Sequence, residues 1–367
     1  METPREVSPP TESETVACPG PGSGPKGFAK SGLGPPAARQ GIGQILEDLK
    51  RFGPGINLPP MAVDEAFAYC RNLSLKHYEN FSVTNLWMPR HLHPHFCSIY
   101  AYCRWSDDLA DEMGSRTTAT HMLAWWQSEL DRCYQGRASH PVFIALRHTI
   151  SQFALPKQPF DDLLSAFVQD QSVTRYATDR QLMDYCRRSA DPVGRLVLHL
   201  ANTVSPETVR LSDAICSGLQ LANFCQDIAV DAGRDRIYWP LARLHSASIT
   251  ESDLLQGLHG PHWNEALHAW VDSARELLIS GAPLVQFGPR WFARSIQLFL
   301  RGGLTILDNI AAQSFDVWHH SITVSQTQKL RCMLDACLRP RGLRWLPPPS
   351  RSALLATSTK AIDRPQA

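Results

Sequence analysis

The chain has 367 residues, 43% of them hydrophobic and 19% charged, a globular mixture long enough for one large domain or two ordinary ones. Thirty-six basic residues against thirty-five acidic ones leave a formal charge of +1, so there is no global basic field for gripping nucleic acid. The ten cysteines form no C-x-x-C pair, which reads as buried thiols in a reducing compartment rather than a disulfide frame or zinc site.

Residues 1–60 hold eleven of the 27 prolines and ten of the 22 glycines. Such a stretch cannot offset its ordering entropy by burial, so residues 1–61 are expected to be a disordered leader, with a short helix over Gly43 to Phe52. Glu2, Glu6, Glu12 and Glu14 argue against a transit peptide, and the basic-then-apolar build of a signal peptide is missing. The folded unit is expected over 62–340, followed by a loose tail over 341–367 that begins with proline punctuation. Inside that unit the apolar residues keep three-to-four spacing, as in Met122, Trp125, Trp126, Leu130 and Cys133. Further helical runs cover about 161–170, 179–189, 193–204, 212–229, 264–281, 291–313 and 324–338. Strand alternation and a βαβ rhythm are absent, which predicts an all-α bundle of about ten helices in one domain. The most apolar run, Trp291 to Ala312, is interrupted by Arg294, Arg301 and Asp308 and is not a membrane span. The expectation is a cytoplasmic protein, soluble or attached to the inner membrane face at its surface.

Tyr100, Arg104, Asp107, Asp108 and Asp111 fall at i, i+4, i+7, i+8 and i+11, one stripe of a helix. Three carboxylates in a row repel each other, and a buried row needs a cation. Magnesium takes oxygen ligands and bridges carboxylates to substrate phosphates. Taken alone, the stripe reads first as a solvated acidic face, and the second polar row shifts that reading. Gln220, Asn223, Asp227 and Asp231 make a second polar row, inside an otherwise apolar helix where such groups are costly unless paired. Arg234, Arg236 and Tyr238 follow on a loop, and arginine forks match phosphate oxygens. Two facing acidic helices and this loop describe metal-assisted ionisation of an allylic or cyclopropylcarbinyl diphosphate, with an apolar interior sheltering the carbocation.

These segments resemble the squalene/phytoene synthase family over about residues 75–315. The resemblance is carried by His77-Tyr-Glu-Asn-Phe81, the Tyr100-to-Asp111 stripe, Tyr185-Cys-Arg-Arg-Ser-Ala-Asp-Pro-Val-Gly194, the Gln220-to-Asp231 helix and Gly302-Gly-Leu-Thr-Ile-Leu307. It implies an all-α isoprenoid synthase bundle with a central apolar cavity. It implies Asp107, Asp111, Asp227 and Asp231 as metal carboxylates, with Asp108 in support, for two or three Mg²⁺ ions bound with the diphosphate. His77, Gln220, Asn223, Arg236 and Tyr238 would bind substrate, and Tyr100, Arg104 and Tyr185 would serve catalysis. Many family members carry S-x-S-F after the first histidine, whereas this chain has Tyr78-Glu79-Asn80-Phe81. The H-Y-E-N-F version is similar to the bacterial hydroxysqualene synthases of hopanoid pathways, in which presqualene diphosphate ionises and water captures the cation without NADPH. Tyr78, Asn80 and Glu79 are then candidates for orienting that water; helix-end capping is their other reading.

Head-to-head condensation of two farnesyl diphosphates is the alternative reaction. A non-catalytic assembly protein, beside neighbouring enzymes of the squalene or hopanoid pathway, is the reading from another class. His91, His93 and His95 read as a surface or loop cluster, since Pro94 disturbs a helix there. Asp170 is either part of the site or a solvated helix end. Gly302-Gly303 either leaves room for a prenyl chain or lets another helix pack closely. Arg331, Arg339, Arg341 and Arg344 either touch an anionic lipid surface or form a solvated basic tail.

Overall fold

The computed structural model describes residues 41–76, 87–257 and 261–346. Among them are fifteen α-helices and no strand beyond one isolated bridge between Arg175 and Ile237. The first half runs α1 Gly41–Phe52, α2 Val63–Lys76, α3 His93–Asp111, α4 Arg116–Tyr134, α5 Pro141–Phe153, α6 Gln158–Gln169, α7 Asp179–Ser189 and α8 Asp191–Leu200. The second half runs α9 Pro206–Gln226, α10 Ile228–Ala232, α11 Leu241–Ser246, α12 Glu251–Gln256, α13 Pro261–Gly281, α14 Arg290–Ala312 and α15 Gln326–Leu338. The helical period therefore holds, and the count exceeds ten because short helices such as α11 and α12 lie within segments that read as loops and because one expected helix is split into α9 and α10.

Local chemistry explains the boundaries. Ser115, Thr178, Ser205, Thr250 and Ser325 each accept a hydrogen bond from the backbone N–H three residues on, which satisfies a donor that every helix start leaves open. Pro94, Pro141, Pro159, Pro192 and Pro206 stand in first turns, where the missing N–H costs nothing. Pro94 thus starts α3 instead of disturbing it. As a result His95 is not on the surface: it is buried against Phe67 and Phe153, with a 3.0 Å hydrogen bond to Thr149. Burial pushes its pKa down to about 4.

Two apolar clusters hold the bundle. One joins α1 to α6, with Leu196 and Leu200 of α8, around Trp105, Trp126 and Phe143, and the other joins α7 to α14 around Trp239, Trp270 and Phe292. His140 sits fully buried among Trp105, Trp125 and Trp126, accepting from the Val142 N–H as the cap of α5. Burial pushes its pKa down to about 3, so it is a neutral core group. No helix among the described residues is long and apolar enough to cross a membrane.

Order begins earlier and ends later than composition suggests. α1 buries Ile45 and Phe52, and its Asp48 accepts a 3.0 Å hydrogen bond from Tyr69. At the other end, Gln297 donates to the Gly342 carbonyl at 2.7 Å and the Arg301 guanidinium lies 4.0 Å from the Trp345 ring centre. The packed unit thus includes α1 and 341–346, which the expected leader and tail had claimed. Residues 1–40 and 347–367 lie outside the described residues.

Candidate active site

α3 supplies the first acidic row. Tyr100, Arg104, Asp107 and Asp108 are all buried, as a stripe facing other helices must be. Arg104 grips Asp108 with two guanidinium nitrogens and reaches Asp107 with a third at 3.4 Å. Burial pushes the Asp108 carboxyl up to about 7, with Arg104 opposing that shift. Burial likewise raises the Tyr100 phenol. Asp111, half-buried, closes the helix one turn beyond Asp107.

The second row is not one helix over 212–229. α9 ends at Gln226, Asp227 takes a non-helical backbone (φ −103°, ψ 15°), and α10 restarts at Ile228. The break is bridged locally: Asn223 donates to the Asp227 carboxylate at 2.9 Å, and the Asp231 N–H donates to the Asp227 carbonyl at 2.8 Å. Asp231 is buried, and burial with Asp227 beside it pushes its pKa up to about 8, against the pull of Arg234 and Arg236.

The two rows meet at one cavity. It has a volume of about 1450 Å³, above the ~300–1,000 Å³ of ordinary small-molecule sites. Tyr100, Arg104, Asp107, Asp170, Tyr185, Gln220, Asn223 and Asp227 line it. Most of the remaining wall is apolar, including Phe96, Leu163, Phe167, Leu219, Phe292, Ile296 and Ile306. A polar patch on a greasy chamber is the arrangement that an ionising head group on a long hydrocarbon requires.

Not every candidate reaches that wall. Asp107 and Asp227 line the cavity, whereas Asp108 is turned into Arg104 and Asp231 stands one turn behind Asp227. Tyr238, expected around the diphosphate end, is instead buried behind it, its ring stacked 4.0 Å from Phe224. Arg236 donates to the Asp170 carbonyl at 3.5 Å, and its other terminal nitrogen is buried without a hydrogen-bond partner. His77, Tyr78, Glu79 and Asn80 lie outside the described residues.

Asp170 is part of the site and not a solvated helix end. It follows α6, lines the cavity and accepts a 2.9 Å hydrogen bond from Tyr185, while its second carboxylate oxygen is buried without a partner. Burial pushes it up to about 7; Arg236 and the Tyr185 hydroxyl oppose the shift, and Asp107 adds to it. Since Asp170 also raises Asp231, it couples the two acidic rows electrostatically. Ser189 and Gln226 were missed by the sequence reading. Both line the cavity, and each has a buried oxygen without a hydrogen-bond partner. Ser189 stands within the Tyr185-to-Gly194 motif, where its four-residue spacing from Tyr185 was the available signal.

Gly302 and Gly303 both line the cavity but differ in what surrounds them. A Cβ at Gly303 would stand 2.7 Å from the Leu219 side chain and 3.1 Å from Leu278, so this glycine lets α14 approach α9 and α13. Gly302 lines the cavity, and a Cβ there would meet nothing within 4 Å.

An all-α bundle enclosing a largely apolar chamber, with carboxylates from distant parts of the chain on its wall, defines the isoprenoid synthase class. The comparisons agree. The family model for squalene/phytoene synthase matches residues 75–328. Phytoene synthase of Arthrospira platensis is 30% identical over 300 residues, covering 77% of this chain and 96% of that protein. The crystal structure of squalene synthase HpnC from Alicyclobacillus acidocaldarius is 42% identical with a TM-score of 0.66, covering 70% of this chain and 97% of that one. A dehydrosqualene synthase structure at 20% identity and a TM-score of 0.68, covering 75% and 96%, shares the fold. The chain belongs to the squalene/phytoene synthase family of isoprenoid biosynthesis, whose members bind prenyl diphosphates.

Proposed function

We propose that the protein ionises presqualene diphosphate with Mg²⁺ and lets water capture the cation, giving hydroxysqualene and diphosphate without NADPH. The observation that carries the reading is that Asp107 of α3 and Asp227 at the end of α9, with Gln220 and Asn223, line one 1450 Å³ chamber. The likeness to the squalene synthase HpnC structure at 42% identity supports it, as does Tyr78-Glu79-Asn80 in place of the serine motif.

The donor set fits magnesium. It is all oxygen, and burial, with Asp227 and Asp170 nearby, holds Asp231 well above the usual carboxylate range, a cost that a cation would offset. Among the described residues no three His, Cys, Asp or Glu groups could hold a metal by themselves. An ion here would draw further ligands from diphosphate oxygens and water, as magnesium commonly does. Asp107 and Asp227, on the chamber wall, would hold it, with Asp111 and Asp231 one turn beyond each, and it would supply the positive charge that stabilises the leaving group.

The chain's own groups then have separable tasks. Arg104 holds Asp107 and Asp108 in place, and Asn223 orients Asp227. Arg236, with a buried nitrogen still to be satisfied, stands behind the chamber wall against the Asp170 carbonyl. The carbon–oxygen bond breaks with its electron pair leaving on diphosphate; the cyclopropylcarbinyl cation rearranges as a carbon–carbon bond of the three-membered ring breaks, and the water oxygen bonds to the resulting allylic cation, its proton passing to the released diphosphate. The apolar wall excludes other water from the cation.

Condensation of two farnesyl diphosphates is the second reading, favoured by the 30% identity to a phytoene synthase. Each diphosphate is offered separately with Mg²⁺ and no NADPH, and the lipid is analysed by mass spectrometry. A hydroxylated C30 product from presqualene diphosphate alone is expected. Consumption of farnesyl diphosphate, with presqualene diphosphate left intact, would establish the second reading instead.

A further inference from the structure

α15 carries an uncovered leucine strip. Leu330, Leu334 and Leu338 are 56%, 52% and 77% exposed and stand four residues apart, so they share one side of the helix. The opposite side is the packed one: Cys332 and Ala336 are buried, and Asp335 accepts a 2.7 Å bond from Arg301 of α14. Other exposed apolar side chains, such as Leu46, Val168 and Val204, are scattered singly over the described surface.

Charge selects the cover. Asp335 is the sole carboxylate on α15, and Arg301 holds it, whereas Arg331, Arg339, Arg341 and Arg344 are all exposed on the helix and just beyond it. An apolar strip edged by cations fits the boundary between acyl chains and anionic headgroups. Position points the same way. Leu330 and the exposed Phe299 also line the cavity, so the chamber opens at the start of the strip.

We propose that α15 lies on an anionic lipid bilayer, with Leu330, Leu334 and Leu338 in the acyl boundary and the arginines at the headgroups, so that the cavity mouth faces hydrocarbon. Docking stands apart from the substrate; only passage of a prenyl chain through that mouth rests on the function proposed above. The full chain is sedimented with phosphatidylcholine vesicles and with vesicles containing phosphatidylglycerol. Binding to the anionic vesicles is expected, weakened by salt, with little binding to the neutral ones. The double variant L334E/L338E, with an unchanged circular dichroism spectrum, is expected to lose anionic-vesicle binding by roughly tenfold or more. Diphosphate release from substrate presented in detergent should survive in that variant, which separates failure of docking from failure of the chemistry. Retained vesicle binding in L334E/L338E overturns the proposal. Equal binding to both vesicle types also overturns it. So does a wild-type dimer in ultracentrifugation that the variant dissociates and that ignores vesicles, because the strip then belongs to a second copy of the chain.

Discussion

The Tyr185 hydroxyl donates a 2.9 Å hydrogen bond to Asp170, joining the motif on α7 to a carboxylate that feels both acidic rows. Phenylalanine at 185 removes that donor and leaves Asp170 with one more unsatisfied buried oxygen. The expected cost is about 1–3 kcal/mol in urea unfolding. The Asp170 carboxyl should also titrate higher, which infrared difference spectra of the variant would record.

Asparagine at Asp107 or at Asp227 keeps the shape of each side chain and removes its charge. Each substitution should slow diphosphate release by roughly 10²–10³-fold, the scale of losing one electrostatic stabiliser in a water-excluded site. Phosphate-coupled assays on folded variants measure this. Full activity in both would remove the acidic rows from the mechanism.

Arg104 is the buried counter-charge of α3. Alanine there leaves Asp107 and Asp108 without their shared partner, and a loss of about 3–5 kcal/mol is expected. Lysine should recover part of the stability but not the fork on Asp108. Thermal melts of the two variants make the comparison.

Asp231 is pushed up to about 8, and Asp108, Asp170 and Asp191 each to about 7, in every case chiefly by burial. Between their ordinary values and these, the folded chain binds more protons than the unfolded one. Stability is therefore fully present below about pH 4 as far as these groups are concerned, and is lost as pH rises through 7 to 8. Without metal, the melting temperature should fall over that window, and Asp231→Asn should flatten the fall. Magnesium with inorganic diphosphate should offset it, more strongly at higher pH, because binding competes with protons.

Adjacent glycines should respond oppositely. Gly303→Ala meets Leu219 and Leu278 and is expected to destabilise by about 1–3 kcal/mol. Gly302→Ala meets nothing and should stabilise α14 by up to about 1 kcal/mol. A phenylalanine at 302 would occupy chamber volume, so a shorter prenyl diphosphate should be turned over better than a C30 one. Product profiling tests that.

The acidic stripe on α3 was legible because it is local: four-residue spacing alone puts Asp107 and Asp111 in register. Which carboxylates reach the wall was not, because the rotation of α3 is set by its partners, and Arg104 decides that Asp108 turns away. The break at Asp227 was equally hidden. Apolar spacing runs through Phe224, Cys225 and Ile228 without glycine or proline, so nothing local marks it. Tyr238 was misplaced because its position depends on the path of a loop that the Arg175–Ile237 bridge fixes from outside. The helical content of 41–52 was read correctly, but its packing on the bundle was invisible beneath the surrounding prolines and glycines.

Gln226, the last residue of α9, donates a 2.6 Å bond to the carbonyl of Ile322, and residues 317–326 wall the chamber. The segment after α14 is therefore structural masonry for the reaction vessel and not trailing sequence. Trimming the chain near residue 315, as a designer seeking a minimal catalytic unit would do, removes one side of the container and floods it.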